Sequence, residues 1–468
     1  MTVSGILAPA EANPIGTIPV VVIGAGACGL SAALSAHDCG AEVLVLERDD
    51  SAMGTTAMST GLIPGAGSRF QRELGIDDTP ERFVADIRAK TGGQINELVV
   101  DYLARASAPT VEWLADDCGV PLSLVDTFRY PGHSRMRMHG TPNRTGAELM
   151  GALQTEVERR QIDILLAAHA TELFADAGGR VHGVRVRRPD GEVEDIGCEA
   201  LILACCGFAG DAELVRRYIP EIAEGTFFGH PGNKGDAIRW GQALGAKLAD
   251  MHAYQGHGGL AWGHGVPILW AHIVLGGIQV NVEAQRFANE ARGYSEQAVD
   301  ILAQTDRIAW SIFDERIHEA MLEFDDYRDA LEARCVLSAE SSEQLSAVTG
   351  LPHESLAQTL ADVRRMVGGE IEDPFGRDFT TGGELVAPYR AVKVTGALFH
   401  TQGGLEVDEA ARVLREDGAP LPNLFAGGGA ARGISGPGCS GYLAGNGLLT
   451  ATALGRAAGR AASRSPDA

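Results

Sequence analysis

The stretch Pro19-Val-Val-Val-Ile23-Gly24-Ala-Gly26-Ala-Cys28-Gly29 decides the fold, because an apolar run leads directly into a G-x-G-x-x-G turn. The apolar run predicts a buried strand, and the small residues of 30–39 predict a helix. A second apolar run, Glu42-Val-Leu-Val-Leu46, predicts the next strand. Strand, turn, helix and strand in this order form a βαβ unit, whose parallel sheet is covered by helices on both faces. We therefore expect an α/β protein that begins with a dinucleotide-binding unit.

The glycines of the turn have separate tasks in such a unit. Gly24 permits the sharp turn, Gly26 lets the backbone approach a pyrophosphate, and Gly29 lets helix and strand pack closely. The helix N-terminus then offers N–H donors and a positive dipole to the phosphates. Glu47 stands eighteen positions after Gly29, at the end of the second strand, where a carboxylate accepts hydrogen bonds from ribose hydroxyls. A loop with incidental glycines is the alternative, and it does not explain this context.

A second glycine-rich segment near the C terminus distinguishes between the two common dinucleotides. It reads Leu424-Phe-Ala-Gly-Gly-Gly429, followed by Gly441-Tyr-Leu-Ala-Gly-Asn-Gly-Leu-Leu449 and a second helix of small residues. NAD needs one such helix N-terminus, whereas the dipole of another stabilises negative charge on a reduced flavin. The pattern therefore predicts a Rossmann-like domain that holds FAD.

Composition and charge exclude several classes of partner. The 468 residues predict two or three domains, and the formal net charge of −23 argues against nucleic acid and anionic membrane surfaces. The uncharged stretches 12–36 and 433–455 are broken by Gly, Ser, Pro or Asn, so we interpret them as cofactor-binding segments and expect no membrane span. The eight scattered cysteines indicate free thiols in a reducing cytoplasm. Residues 1–16 lack periodicity and are predicted to be a loose leader.

Further segments follow the first glycine turn in a fixed order: Thr55-Thr-Ala-Met-Ser-Thr-Gly-Leu-Ile63, Ala204-Cys-Cys-Gly-Phe208, Gly235-Asp236-Ala, Tyr254-Gln-Gly-His257, Arg286-Phe-Ala-Asn-Glu290 and His400-Thr-Gln-Gly-Gly404. With these segments, nearly the whole chain after residue 18 resembles the soluble fumarate reductase and 3-ketosteroid dehydrogenase group of FAD flavoproteins, relatives of the succinate dehydrogenase flavoprotein subunit. The resemblance implies an FAD-binding domain over 1–252 and 399–468 and an inserted α+β substrate-capping domain over 253–398. The charge-rich, mostly helical text of 285–370 fits such an insertion.

The resemblance also implies which side chains meet the substrate. His257 and His400 match two histidines with which the reductases hold a substrate carboxylate. The reductases have an arginine proton donor where Tyr294 stands, and a second, clamping arginine where Tyr442 stands or, in another alignment, Arg432. Without two guanidiniums a dicarboxylate loses its bidentate partners. The ketosteroid branch, in contrast, resembles this chain in using tyrosines.

These residues imply an FAD-dependent oxidoreductase that transfers a hydride between flavin N5 and the carbon β to a carbonyl or carboxyl group. We expect Tyr294 to carry the proton, with Arg292 and Glu290 as groups that tune it or relay protons. The expected donors to the substrate oxygen are His257, His400 and Tyr442. The expected substrate is an enone, an enoate or a steroid-like ketone, and the sequence does not identify the electron donor or acceptor.

Other interpretations of these residues stay open. The alternative for Tyr294 is a packed tyrosine at the foot of a helix. The alternative for His257 is a metal ligand beside His252 and His264, although no carboxylate or cysteine shares that cluster. The basic stretch 129–144 lines the pocket entrance or is a solvated loop. The rival functions are oxidation of a C–N or C–OH bond and a non-catalytic FAD-binding subunit.

The glycine turns and the resemblance together assign a set of residues to FAD. They are Gly24, Gly26, Ala27, Cys28, Gly29, Glu47, Arg48, Thr55, Thr56, Ala57, Gly61, Leu62, Ala204, Asp236, Gly427, Gly428, Asn446, Gly447 and Leu448. The loop 51–67, where membrane-bound relatives attach their flavin, contains no histidine, so we expect the FAD to be non-covalent.

Overall fold

The computed structural model describes residues 5–127, 129–380 and 382–464. The strands are β1 (Ile6–Leu7), β2 (Pro14–Ile23), β3 (Val43–Leu46), β4 (Ile63–Pro64), β5 (Ser123–Leu124), β6 (Met138–Gly140), β7 (Asp163–Leu165), β8 (His169–Ala175), β9 (Val181–Arg187), β10 (Val193–Leu203), β11 (Thr226–Phe227), β12 (Leu248–Ala249), β13 (Tyr254–Ala261), β14 (Ile278–Val280), β15 (Ile308–Asp314), β16 (Val336–Ala339), β17 (Tyr389–Thr401), β18 (Gly404–Leu405), β19 (Arg412–Leu414) and β20 (Pro420–Ala426).

The α-helices are α1 (Ala27–Asp38), α2 (Gly54–Ala57), α3 (Arg69–Glu73), α4 (Pro80–Thr91), α5 (Glu97–Asp116), α6 (Gly146–Arg159), α7 (Ala212–Tyr218), α8 (Asp236–Ala243), α9 (Ala271–Val274), α10 (Tyr294–Leu302), α11 (Glu315–Met321), α12 (Asp325–Glu332), α13 (Ser342–Thr349), α14 (His353–Val367) and α15 (Asn446–Ala462). Short 3-10 helices occur at Pro9–Glu11, Pro220–Ile222, Glu290–Arg292, Thr305–Arg307, Gly428–Ala430 and Cys439–Gly441. No helix within the described residues is both long enough and apolar enough to cross a membrane.

The chain divides into two compact units. The first contains the described residues up to Tyr218, Gly229–Tyr254 and the described residues from His400 onward, and the second contains Ile219–Phe228 and Gln255–Phe399. The predicted domain bounds place Ile219–Phe228 in the FAD-binding domain. This segment belongs to the second unit because β11 pairs in parallel with Ala397 and Leu398 of β17.

The main sheet of the first unit contains the predicted βαβ unit. β7, β3, β2, β10 and β20 lie side by side in this order and run parallel. β8 and β9 form an antiparallel hairpin, and β9 pairs with the first half of β10. The hairpin turn lies where the Asp176 N–H donates to the Arg180 carbonyl at 3.0 Å. The predicted α/β class is confirmed.

Residues 6–7 and 14–16 are part of this sheet, so the prediction of a loose leader over 1–16 is wrong at these positions. β1 pairs in parallel with β8, placing Ile6 beside Leu173. β2 begins at Pro14, five residues before the predicted strand, and the Asn13 N–H donates to Asp195 Oδ2 at 2.9 Å. These partners follow far along the chain, so local periodicity carries no sign of them.

Small residues bring α15 close to α1. A Cβ built on Gly455 would lie 2.4 Å from the Cys28 carbonyl oxygen, and one on Gly459 would lie 2.2 Å from that of Ala32. Only glycine permits this approach of two helix backbones. The contact explains why the C-terminal text predicted as a cofactor segment is rich in glycine and alanine.

The second unit is built on a different sheet. β15 lies antiparallel between β14 and β17, and β17 also pairs with β11, β13 and β16. Helices α10 to α14 follow one another through the charge-rich region, which was predicted to be mostly helical. β15 and β16 interrupt that region, and β15 is buried along its whole length.

Candidate functional site

The glycine turn after β2 has the close approaches that its sequence predicted. Gly24 has a φ of 102°, and a Cβ on it would lie 2.6 Å from the Ala204 carbonyl oxygen. A Cβ on Gly29 would lie 1.8 Å from the Gly24 carbonyl oxygen. Gly26 is the N-cap of α1, and the Ala27 N–H donates to the Thr56 hydroxyl oxygen at 3.2 Å, so the helix offers an anion its dipole and the later N–H groups of its first turn. This cradle fits a pyrophosphate.

Glu47 holds the turn from the end of β3. Its Oε2 accepts a hydrogen bond from the Ala25 N–H at 2.8 Å, and its Oε1 accepts one from the Asp49 N–H at 3.0 Å. The side chain is almost fully buried and lines the same cleft as Gly24. The contact of Glu47 with ribose hydroxyls stays a prediction. The structure adds that the same carboxylate stabilises the backbone of the turn.

A cleft opens above the turn. The residues assigned to FAD that line it are Gly24, Gly26, Ala27, Cys28, Glu47, Arg48, Thr55, Thr56, Ala204, Asp236 and Gly428. Those assigned to FAD outside its lining are Gly29, Ala57, Gly61, Leu62, Gly427, Asn446, Gly447 and Leu448. Gly427 nevertheless lies directly behind Cys28, a lining residue, since a Cβ on Gly427 would lie 2.7 Å from Cys28 Sγ.

The segment 230–233, which we name the strap, lines the same cleft and was missed by the sequence analysis. The Thr55 hydroxyl oxygen accepts hydrogen bonds from the His230 N–H at 3.1 Å and from Asn233 Nδ2 at 2.9 Å. Arg48 donates to the Gly232 carbonyl at 2.9 Å and lies 3.2 Å from His230 Nδ1. The only available signal was position, because the strap directly precedes Gly235-Asp236.

The N-terminus of α15 meets two of the predicted substrate-binding residues. A Cβ on Gly447 would lie 2.8 Å from His400 Nε2, so this ring lies against the first turn of the helix. Tyr442 touches His400 edge-on, with ring centroids 5.6 Å apart, and its hydroxyl oxygen accepts a hydrogen bond from the Gly447 N–H. Burial raises the pKa of Tyr442, which keeps the phenol protonated. The structure thus brings His400, Tyr442 and a helix N-terminus together in the first unit.

His400 is a neutral imidazole, because burial lowers its pKa to about 4. Its Nδ1 lies 3.3 Å from Gln402 Nε2 and 3.2 Å from the Thr401 carbonyl. Gln402 is oriented by Ser435, whose hydroxyl donates to Gln402 Oε1 at 2.9 Å. This orientation turns the Gln402 amide group toward Nδ1, which therefore lies between a donor, the Gln402 amide, and an acceptor, the Thr401 carbonyl.

The second unit brings His257 and Tyr294 together. Tyr294 is the first residue of α10, and its ring centroid lies 5.2 Å from that of His257. His257 stacks on Phe399 at 4.8 Å and meets Trp270 edge-on at 5.8 Å. Its Nδ1 accepts a hydrogen bond from the Gly259 N–H at 3.1 Å. Burial, with a contribution from His272, lowers the pKa of His257 to about 3, so the neutral ring carries its hydrogen on Nε2.

Glu290 is held by two arginines. Arg286 forms a bidentate pair with it at 2.9 and 2.7 Å, and Arg377 donates to it at 3.2 Å. Burial alone would raise the pKa of Glu290, but the two guanidiniums hold it below its usual value. Arg292 is half exposed and pairs with Asp300 at 2.5 Å. These contacts give Glu290 a structural task, and a proton relay through Glu290 or Arg292 stays a prediction.

Two other sequence interpretations gain structural detail. Arg432 donates to Asp250 at 2.6 Å and to Glu406 at 2.9 Å, so its guanidinium already has two carboxylate partners. In the stretch 129–144, Arg137 is fully buried and His133 is nearly so. The solvated-loop interpretation of that stretch is therefore wrong at these positions.

Comparison with known proteins agrees with this arrangement. The family described as FAD binding domain matches residues 19–448. The chain belongs to this family. It is 29% identical over 454 residues to a fumarate reductase (cytochrome) of Shewanella frigidimarina, covering 96% of this chain and 78% of that protein.

Two solved structures are similar over most of the chain. The open conformation of a flavocytochrome c3 fumarate reductase has a TM-score of 0.82 and 27% identity, covering 98% of this chain and 80% of that one. A 3-ketosteroid-Δ4-(5α)-dehydrogenase from Rhodococcus jostii RHA1 has a TM-score of 0.77 and 25% identity, covering 98% and 100%. The predicted family resemblance, the FAD cofactor and an oxidoreductase acting on C=C or CH–CH bonds are confirmed at this level.

Proposed function

We propose that this FAD-dependent oxidoreductase acts on the Cα–Cβ bond beside a ketone or a single carboxyl group, with an enone, an enoate or a steroid-like ketone as substrate. The observation that carries the proposal is the pairing of Tyr294 with a neutral His257 among aromatic rings. Such surroundings suit an apolar carbon skeleton with one oxygen better than a dicarboxylate.

The chemistry divides between the cofactor and the protein. FAD, when bound, exchanges the hydride with the β carbon of the substrate. Tyr294 gives a proton to, or takes it from, the α carbon through its hydroxyl. His257, through its Nε2–H, donates to the substrate oxygen, where charge develops during the reaction. In the first unit, His400 and Tyr442 would be further donors to a substrate oxygen, and the N-terminus of α15 would stabilise negative charge on the cofactor.

The arginine contacts support the exclusion of fumarate and succinate. Arg286 and Arg377 are bound by Glu290, and Arg432 by Asp250 and Glu406. A guanidinium already paired with carboxylates offers little to a substrate carboxylate. The second carboxyl group of fumarate would then be desolvated without its usual bidentate partner, which costs binding free energy.

A substrate panel tests the proposal. The FAD-loaded protein is photoreduced without oxygen and mixed with cyclohex-2-enone, crotonate, 4-androstene-3,17-dione or fumarate, and reoxidation is followed by flavin absorbance. We expect an enone or the enoate to reoxidise the flavin and fumarate to be about 10- to 150-fold slower, because an unmade charged hydrogen bond costs about 1.5–3 kcal/mol.

The panel also separates the rival functions. Rapid reoxidation by fumarate would show that Arg292 or Arg432 clamps a carboxylate after all. Reduction of the oxidised flavin by amines or alcohols would favour C–N or C–OH oxidation. A flavin that reacts with none of these compounds would favour the non-catalytic subunit. A cytoplasmic compartment is also part of the proposal, and the free cysteines support it.

A further inference from the structure

A buried ionic cluster in the first unit lies outside the lining of the cofactor cleft. Arg137 is fully buried and binds both oxygens of Asp78, at 2.9 and 3.0 Å. Its Nη1 donates to Asp86 at 2.6 Å, and its guanidinium carbon lies 4.6 Å from the centre of the Phe83 ring. Two carboxylates and one aromatic face therefore fix the guanidinium in a single orientation.

The fixed guanidinium determines the state of His133. His133 Nδ1 lies 3.3 Å from Arg137 Nη1, which is a donor, so Nδ1 accepts and the hydrogen of the neutral ring lies on Nε2. Burial and the neighbouring cation lower the pKa of His133 to about 3, and the ring therefore stays neutral. Its Nε2–H points to the Ala444 carbonyl at 3.2 Å.

Ala444 belongs to the short segment that carries Tyr442 into α15. Two residues later, the Asn446 N–H donates to the Leu443 carbonyl at 3.2 Å, and Asn446 is the first residue of α15. A Cβ on Gly132 would lie 2.4 Å from Leu443 Cδ2, so the residue before His133 packs against the same segment. Ala444 lies two residues after Tyr442, so a shift of the Ala444 carbonyl also shifts the backbone of Tyr442 and, with it, the Tyr442 ring.

We propose that His133, held by Arg137, is a positioning residue that fixes the Ala444 carbonyl and thereby places Tyr442. The placement matters because Tyr442 contacts His400 and accepts from the Gly447 N–H. The catalytic consequence rests on the proposed function, in which Tyr442 donates to the substrate oxygen. A neutral imidazole suits the task, since it accepts from the guanidinium at one nitrogen and donates to a carbonyl from the other.

Two substitutions of His133 separate its hydrogen bonds from its bulk. His133→Leu deletes both ring nitrogens and keeps an apolar side chain in the site. His133→Gln retains an oxygen that accepts from Arg137 and an amide group that donates to the Ala444 carbonyl. Arg137 itself is left intact, because removing one member of a buried ion cluster typically costs about 3–5 kcal/mol and endangers folding.

Fluorine NMR measures the position of Tyr442 without reference to activity. The FAD-loaded protein is labelled with 3-fluorotyrosine, and the Tyr442 resonance is identified by its loss in Tyr442→Phe. We expect His133→Leu to move this resonance by more than its linewidth and His133→Gln to leave it within one linewidth. An unmoved resonance in His133→Leu, or an equal shift in both variants, would overturn the proposal.

A double-mutant cycle then tests whether His133 acts through Tyr442. With the panel compound that reacts fastest, we expect His133→Leu to lower kcat/KM by about 10- to 100-fold, as small misplacements of catalytic groups do. In the Tyr442→Phe background the same change should cost less than about threefold. Equal losses in both backgrounds would refute the action through Tyr442. A moved resonance with full activity in both single variants would instead leave the positioning role intact and contradict the proposed function.

Discussion

The ring of His257 lies 5.2 Å from the ring of Tyr294, centroid to centroid, with their planes 32° apart. The imidazole is neutral, since burial lowers its pKa to about 3. A neutral imidazole, unlike a cation, adds no positive charge beside the Tyr294 phenol. The pair supports the proposed division, in which the Tyr294 hydroxyl moves the proton and the His257 Nε2–H donates to a substrate oxygen.

Tyr294→Phe tests this division of labour. The substitution keeps the ring and its packing against His257 and deletes only the hydroxyl that we propose moves the proton. General acid–base groups typically contribute about 100- to 10,000-fold, and we expect a loss of kcat in that range. The flavin absorbance spectrum should not change, because Tyr294 lies in the second unit and the cofactor cleft is lined by the first.

Tyr327→Phe is the matched control, since it also removes one tyrosine hydroxyl from the second unit. That hydroxyl contacts His318 Nδ1 at 2.7 Å and belongs to the packing of α11 and α12. We expect parent-like turnover from this variant. Turnover of Tyr294→Phe within a few-fold of the parent would remove Tyr294 from the mechanism, and Arg292 would be the next residue to test.

The cofactor turn was predictable from sequence because its determinants are local. Gly24 is required by its positive φ, Gly29 by a contact within the same strand–turn–helix unit, and Glu47 by the end of the next strand. Arg137 shows the opposite case. Its partners Asp78 and Asp86 lie 59 and 51 positions away. In the sequence, Arg137 is therefore indistinguishable from the other basic residues of a polar stretch, although its guanidinium is fully buried.

For the same reason, the sequence does not predict which residues contact each other when the contact depends on tertiary packing. The sequence, through the resemblance, named His400 and Tyr442, but their contact at the N-terminus of α15 depends on tertiary packing. The strap carries no motif of its own, and its role follows from Thr55 and Arg48, which precede it by more than 170 positions.

Non-covalent FAD is a prediction that acid precipitation checks. The loop 51–67 contains no histidine, although Thr55 and Thr56 of this loop line the cofactor cleft. Without a nucleophilic ring nitrogen in that loop, we expect the flavin to be held by hydrogen bonds and packing alone. We expect all yellow colour in the supernatant after precipitation with trichloroacetic acid, and a coloured pellet would contradict the prediction.

The strap should govern how fast FAD leaves. A Cβ on Gly232 would lie 1.3 Å from Arg48 Nη2, so Gly232→Ala must displace the guanidinium that joins the strap to the end of β3. Each lost hydrogen bond is worth about 0.5–1.5 kcal/mol net, which corresponds to about a 2- to 10-fold faster release of FAD. Release is measured as the rise in flavin fluorescence after dilution.

Gly151→Ala is the control for the strap variant. Gly151 lies in α6, and a Cβ there meets no atom within 4 Å, so the added methyl group disturbs no contact. We expect its FAD release rate to equal that of the parent. An unchanged rate in Gly232→Ala as well would show that the strap does not restrain the cofactor.

Acid should destabilise the folded protein at a higher pH than its carboxylates alone would require. Burial lowers the pKa of His133 and His257 to about 3 and that of His139 and His272 to about 4. In the unfolded chain a histidine has a pKa of about 6.5. Between these values the unfolded chain binds protons that the folded protein does not, so the free energy of unfolding falls as the pH falls through this window.

Urea denaturation of the FAD-saturated protein at about pH 7.5 and pH 5.5 measures the effect above the range in which carboxylates of an unfolded chain titrate, near pH 4. One pH unit below 6.5 corresponds to about 1.4 kcal/mol for each buried imidazole. His139→Gln keeps amide partners for Ser68 and Ile63, which the ring now contacts at 2.8 and 3.4 Å, and cannot take up a proton. We expect this variant to lose about 1.4 kcal/mol less than the parent between the two pH values, whereas His182→Gln, at an exposed site, should follow the parent. A parent whose unfolding free energy is the same at both pH values would show that these imidazoles are not kept neutral by burial.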